Sequence, residues 1–181
     1  CAMDSHTNIH LTCANLNGPF FSSFCVFMTL FPWIANSGCG TGRSTQYLGT
    51  IYPDHIILGV DRSVARLQRN LIYRQQSTNN NVLLVRAELT DFWRLFLESP
   101  LGKVDKHYLL YPNPYPKKSR FQNRWYAHPS FPLLLQLGGK ELVVRSNWKE
   151  YLEDFANAAM VAKAMDPTHN VPLTCEASPI I

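Results

Sequence analysis

Apolar residues recur along this chain in two alternating rhythms. Short continuous runs, at Phe31–Ala35, Ile56–Val60, Val82–Val85, Lys106–Tyr111 and Glu141–Arg145, have the length of strands. Their apolar residues are consecutive rather than alternating, as expected of strands covered on both faces of a parallel sheet. Between them lie segments with apolar positions at helical spacing. Ser44–Tyr52 carries Tyr47, Leu48 and Ile51 on one face and stops at Pro53-Asp54. Ser63–Gln75 carries Val64, Leu67, Leu71 and Ile72, with Arg62, Arg66, Arg69 and Arg74 mostly on the outward side. Asp91–Glu98 offers Phe92, Trp93, Leu95 and Phe96 to a core, and Pro129–Leu137 closes on Gly138-Gly139. Trp148–Met165 carries Tyr151, Leu152, Phe155, Ala159 and Ala162. Strands alternating with helices predict an α/β fold with a doubly wound, mostly parallel, Rossmann-like sheet.

The two ends depart from this rhythm. Residues 1–17 are polar and aperiodic. Residues 18–35 are uncharged and very apolar, just long enough to span a bilayer. Pro32 interrupts that run and no Lys or Arg cluster flanks it, so it reads as a buried segment leading into the first strand, with no membrane partner. The expected division is an arm or helix over 1–30 and the main domain over 31–181. The chain begins at Cys1, so an N-terminal piece, with any targeting signal, is expected to precede it. The tail, with Pro167, Pro172 and Pro179, has room for one or two further strands. Repeats and low-complexity segments are absent.

Composition narrows the class. At 181 residues, 46% hydrophobic and 17% charged, the chain is long enough for one domain with a full core. A net charge of +4 is compatible with a nucleic-acid substrate without requiring one. The five cysteines are odd in number and form no C-x-x-C pair, which points away from zinc and disulfides and towards a reducing, cytoplasmic setting, with an organelle left open by the N-terminus. Cys39 reads as a small packing residue.

The chemistry gathers at strand ends. Asn36 to Thr45 follows the first strand and holds glycines at Gly38, Gly40 and Gly42. Asp61 ends the second strand about twenty residues after the last glycine, where an acid accepts from ribose hydroxyls. Dinucleotide sites use G-x-G-x-x-G against a pyrophosphate; the spacing here is G-x-G-x-G. Gly38-Cys39-Gly40-Thr41-Gly42 resembles motif I of the class I S-adenosylmethionine (SAM) methyltransferases. In that fold the tip of the third strand meets the adenine, which implies Ala87, Glu88 and Leu89 beside Gly38, Cys39, Gly40, Gly42, Asp61 and Arg62 as donor-binding positions. Pro112-Asn113-Pro114-Tyr115-Pro116-Lys117-Lys118 forms a stiff shelf after the fourth strand.

The shelf, Arg124-Trp125, His128-Pro129-Ser130-Phe131, Gly138-Gly139, Ser146-Asn147-Trp148 and Tyr151 together resemble the tRNA (guanine-N7)-methyltransferase family over roughly residues 31–160. The resemblance implies SAM as donor, no metal, tRNA as partner, and a monomer or small homo-oligomer. It places Asn113 and Tyr115 at the reacting centre. Lys117, Lys118, Arg120 and Arg124 would lie on phosphates, Ser146, Asn147 and Glu150 near the acceptor, and Trp125 and Tyr126 against a base. The chain departs from the family where Asn113 replaces Asp, Tyr115 replaces Trp, Ser146-Asn147 replaces Thr-Asp and Lys149 replaces Glu. Asn36 stands where motif I often has Asp. An Asn offers guanine's N1–H edge one neutral carbonyl, so weaker guanine recognition or another acceptor is expected. Asn113-Pro114-Tyr115 also resembles, one proline short, the Asn-Pro-Pro-Tyr motif of enzymes that methylate amides and amines. Two alternatives stay open: methylation of another nucleobase, small molecule or protein, and a SAM- or RNA-binding homologue without turnover.

Overall fold

A computed structural model describes residues 31–69, 79–101, 103–167 and 172–177. The arm, most of the apolar 18–35 run, the second half of the helix expected over Ser63–Gln75, and the tail prolines other than Pro167 and Pro172 lie outside the described residues.

Six parallel strands form one sheet in the order β3-β2-β1-β4-β5-β6: β1 Trp33–Ser37, β2 Ile56–Asp61, β3 Val82–Arg86, β4 Lys106–Leu110, β5 Glu141–Ser146 and β6 Leu173–Ala177. The helices between them are α1 Arg43–Ile51, α2 Val64–Gln68, α3 Leu89–Glu98, α4 Phe131–Leu137 and α5 Lys149–Met165. Two short 3-10 turns, Lys118–Asn123 and Trp125–Ala127, connect β4 to α4. The fold is the doubly wound Rossmann-like one expected, and β6 is a tail strand that periodicity did not locate. Among the described residues no helix is long and apolar enough to cross a membrane.

Two strands, β1 and β5, end later than expected. β1 runs over Trp33–Ser37 rather than Phe31–Ala35, and all five of its residues are buried. Asn36 and Ser37 look like loop residues, yet hydrogen bonds from the Asn36 amide and to the Ser37 hydroxyl link them to distant side chains inside the sheet, so their polarity does not end the strand. The same logic extends β5 to Ser146, whose hydroxyl accepts from Trp148 N–H at 3.1 Å.

The core explains the sharp placement of the strand ends. Ile34, Leu48, Ile57, Tyr108 and Val143 form one buried cluster in which α1 meets the sheet. Gly59 makes that approach possible: a Cβ there would meet Leu84 Cδ2 at 2.6 Å and Thr45 Oγ1 at 2.7 Å. Trp93 of α3, Leu134 of α4 and Phe155 of α5 are fully buried, and Phe155 packs edge-on against Phe131 at 5.2 Å. Burying each such side chain contributes about 1.5–3 kcal/mol. β3, an edge strand, is covered less well, and Leu83 is exposed.

Candidate functional site

The strand order reverses between β1 and β4, so their C-terminal ends part there and leave a crevice. On its β1–β3 side lies the glycine turn. Gly38, Gly40 and Gly42 have φ of 71°, 59° and 73°, left-handed values that an L side chain resists. Main-chain bonds close the turn: Gly38 and Cys39 N–H donate to Val60 O at 2.8 and 3.0 Å, and Gly42 N–H donates to Cys39 O at 2.9 Å. The Gly40 N–H donates to Asp61 Oδ2 at 2.9 Å, while Ser63 N–H donates to Oδ1 at 2.8 Å. Asp61 therefore ties the turn to the end of β2, and only 4% of it is exposed. Each of its oxygens keeps a second lone pair.

Cys39 is buried within the turn, and burial together with the Asp61 charge pushes its thiol up to about 12. It is a packed, protonated side chain, not a nucleophile. Ala87 N–H donates to Asp61 O at 3.3 Å, which brings the tip of β3 alongside. Glu88 precedes α3 as its N-cap, and its carboxylate lies 3.7 Å from the Arg62 guanidinium on the exposed surface. Leu89 touches the turn, since a Cβ on Gly38 would sit 3.9 Å from its Cδ1. The donor-side candidates thus come together at one strand-end cluster.

A buried network runs beneath the crevice. Trp93 Nε1–H donates to Ser37 Oγ at 2.9 Å, and the same hydroxyl lies 2.8 Å from His107 Nε2. Burial pushes His107 down to about 4, so the ring is neutral at ordinary pH. Asn36 donates its amide to Ser44 Oγ and Thr45 Oγ1, each at 2.9 Å, which pins α1 to β1. Its own Oδ1 is buried without a hydrogen-bond partner.

Side chains build the β4–β5 side. Tyr111 and Tyr115 have φ of 52° and 42°. Bulky residues rarely adopt such values, which cost on the order of 1–3 kcal/mol each. Asn113 Oδ1 accepts from Tyr115 N–H at 3.2 Å, turning the shelf on itself. Lys117, Lys118 and Arg120 are exposed, as a phosphate-facing role would require. Arg124 is placed differently. Its Nε and Nη2 donate to Tyr115 O at 3.2 and 3.1 Å, and its Nη1 donates to Tyr126 Oη at 2.7 Å. Tyr126 in turn donates to Asp154 Oδ2 of α5 at 2.7 Å. Tyr126 is buried, and the half-buried Trp125 packs edge-on against Trp93 at 4.9 Å. Ser146 is buried, whereas Asn147, Trp148 and Glu150 are exposed beyond β5. Asp154, Trp93 and His107 were missed as site-supporting residues: each looks like an ordinary helix or strand residue, and only its distant partner sets it apart.

Residues 31–174 match the methyltransferase family model Methyltransf_4. The tRNA (guanine-N(7)-)-methyltransferase of Porphyromonas gingivalis is 29% identical over 103 residues, covering 57% of this chain and 40% of that protein. The protein of the same name from Neorickettsia sennetsu is 29% identical over 126 residues, covering 68% and 56%. The chain spans about half the length of the curated relatives it matches. Among solved structures, the aminoglycoside resistance methyltransferase NpmB1 superposes with a TM-score of 0.51 at 14% identity, over 81% of this chain and 74% of that one. That likeness shows the fold.

Proposed function

The chain belongs to the Methyltransf_4 methyltransferase family, and on that premise we propose that residues 31–181 transfer the methyl group of SAM to N7 of a guanine in tRNA. One observation carries the choice of donor. The N–H groups of Gly38, Cys39, Gly40 and Gly42 are all engaged by Val60 O, Asp61 or Cys39 O. A pyrophosphate needs such donors pointing outward at a helix N-terminus. A phosphate-free donor needs space and an acid instead. Space exists at Gly40, where an added Cβ would meet nothing within 4 Å. The acid is Asp61, whose remaining lone pairs suit ribose hydroxyls.

SAM supplies an electrophilic methyl on a sulfonium. Guanine N7 brings its own lone pair, so no general base is required and orientation supplies much of the rate. The shelf presents Asn113 and Tyr115 as the orienting groups. Lys117, Lys118 and Arg120 meet phosphates, and Ser146, Asn147 and Glu150 flank the acceptor. The similarity to proteins named tRNA (guanine-N(7)-)-methyltransferase supports tRNA as partner.

Asn113 favours a second reading. Its carbonyl already accepts from Tyr115 N–H, so it offers guanine's N1–H and N2–H one lone pair and no charge. An acceptor other than guanine then fits the same site. Methyl transfer from labelled SAM to unmodified tRNA, followed by nucleoside analysis, separates the two. A 7-methylguanosine peak supports the first reading. SAM binding with no incorporation into tRNA removes it in favour of the second.

A further inference from the structure

We propose that Arg124 is a positioning residue that sets the conformation of the Pro112–Lys118 shelf, through a strut running from Asp154 of α5 to the Tyr115 carbonyl, rather than a phosphate contact. The kinetic part of this inference rests on the proposed function; the structural part does not.

A basic residue in a run with Lys117, Lys118 and Arg120 reads naturally as part of one RNA-facing set. The structure separates it from them. The Arg124 side chain is 18% exposed, while the other three are exposed. Its guanidinium makes a two-pronged bond to a single carbonyl, that of Tyr115. Its remaining terminal nitrogen reaches Tyr126 Oη and lies 3.6 Å from Asp154 Oδ2. The plane also packs on two rings, with Cζ 5.3 Å from the Phe121 centroid and 6.0 Å from that of Tyr126. A phosphate would have to displace this set of partners.

The carbonyl it grips is the informative one. Tyr115 is held at φ 42°, a conformation that persists only where its surroundings enforce it. Two restraints act on it. From one side Asn113 Oδ1 holds its N–H, and from the other Arg124 holds its C=O. Asn113 Oδ1 is bonded to the residue whose carbonyl Arg124 grips, so the orientation of Asn113 follows from the turn that Arg124 completes. Tyr126 and Asp154 fix the guanidinium at a distance, and α5 anchors Asp154 through buried Tyr151, Leu152 and Phe155. The shelf thus takes its geometry from α5, outside the crevice.

The test uses the full chain with Arg124→Gln, Arg124→Lys and Asp154→Asn. Amide hydrogen exchange is followed by mass spectrometry in the peptide that covers 111–118. Arg124→Gln should speed exchange of the Tyr115 N–H, which Asn113 Oδ1 holds, by roughly tenfold or more with little change in β1 and β2. Arg124→Lys, which cannot bond two-pronged, should recover only part of the protection. Asp154→Asn should loosen the shelf less, and it serves if Arg124→Gln fails to fold. In single turnover at saturating tRNA, Arg124→Gln should lower the rate roughly ten- to a hundredfold, with tRNA and SAM dissociation constants within about twofold of wild type. Unchanged exchange in Arg124→Gln and Asp154→Asn overturns the proposal. So does weakened tRNA binding with an intact saturated rate, the signature of a phosphate contact. A wild type that methylates no tRNA removes the proposed function alone, and exchange then decides the strut.

Discussion

The two sides of the crevice are held by different parts of the chain. On the β1–β3 side every fastening bond of the turn is donated by a main-chain N–H: Gly38 and Cys39 meet Val60 O, Gly42 meets Cys39 O, and Gly40 and Ser63 meet the Asp61 carboxylate. On the β4–β5 side the shelf is fastened by side chains: Asn113, Arg124, Tyr126 and Asp154. Main-chain bonds survive most substitutions around them, because every residue but proline supplies the same groups. Side-chain bonds do not. The departures from the resembled family sit mostly on the second side, at Asn113, Tyr115, Ser146, Asn147 and Lys149, with Asn36 alone on the first. On the proposed function, a site built this way would keep its donor half while its acceptor half varies.

The strongest way to break that contrast is to attack the one side chain on which the main-chain side depends. Asp61→Ala leaves the N–H groups of Gly40 and Ser63 without their acceptor. It also removes the proposed acceptor for the ribose hydroxyls; a charged bond of that kind is worth about 1.5–3 kcal/mol, so SAM affinity measured by calorimetry should fall on the order of a hundredfold. Unchanged affinity would mean that the donor site lies elsewhere. Gly59→Val tests the backing of the same side. Its side chain must displace Leu84 and Thr45, and overpacking of this kind costs about 1–3 kcal/mol, read as a lower melting temperature.

His107 tests the seam between the two sides. Its folded pKa, about 4, lies below the ordinary 6.5. The unfolded chain therefore binds the extra proton first as pH falls. Stability is fully present above pH 6.5 and declines towards pH 4, by roughly 1.4 kcal/mol per pH unit in that window. Thermal melts between pH 7 and pH 5 should show the decline, and His107→Gln should flatten it. The smallest effect is expected from Asn113→Asp, which adds a charge to an exposed shelf without disturbing its turn. Methylation of guanine N7 should rise several-fold, the margin of a charge-assisted over a neutral hydrogen bond. A fall would mark Asn113 as fitted to another acceptor.

The same contrast explains what was legible in the sequence. Gly38, Gly40, Gly42 and Asp61 could be read because a left-handed backbone demands glycine and because the chain itself sets the spacing from turn to acid. The sheet was legible because buried parallel strands are continuously apolar. The end of β1 was not, since Asn36 and Ser37 owe their burial to Thr45, Trp93 and His107, the last of them 70 residues away. Arg124 stood among other basic residues, and nothing local distinguishes a guanidinium aimed at a phosphate from one aimed at the Tyr115 carbonyl. Its orientation depends on Asp154, in a helix that reads only as amphipathic.

The strand order also bears on how the molecule assembles. Within β1-β2-β3 and within β4-β5-β6, neighbours in the sheet are successive strands in the chain. Only β1 and β4 must find each other across a long intervening segment. Closing a larger loop costs more entropy before any contact rewards it. Each half therefore has a short route to its own structure, and zipping β1 to β4 is the step expected last. In refolding from denaturant, SAM binding, whose proposed site lies within β1–β3, should return before methyl transfer, which also needs the β4–β5 side brought across, so that turnover and not donor uptake reports completion of the fold.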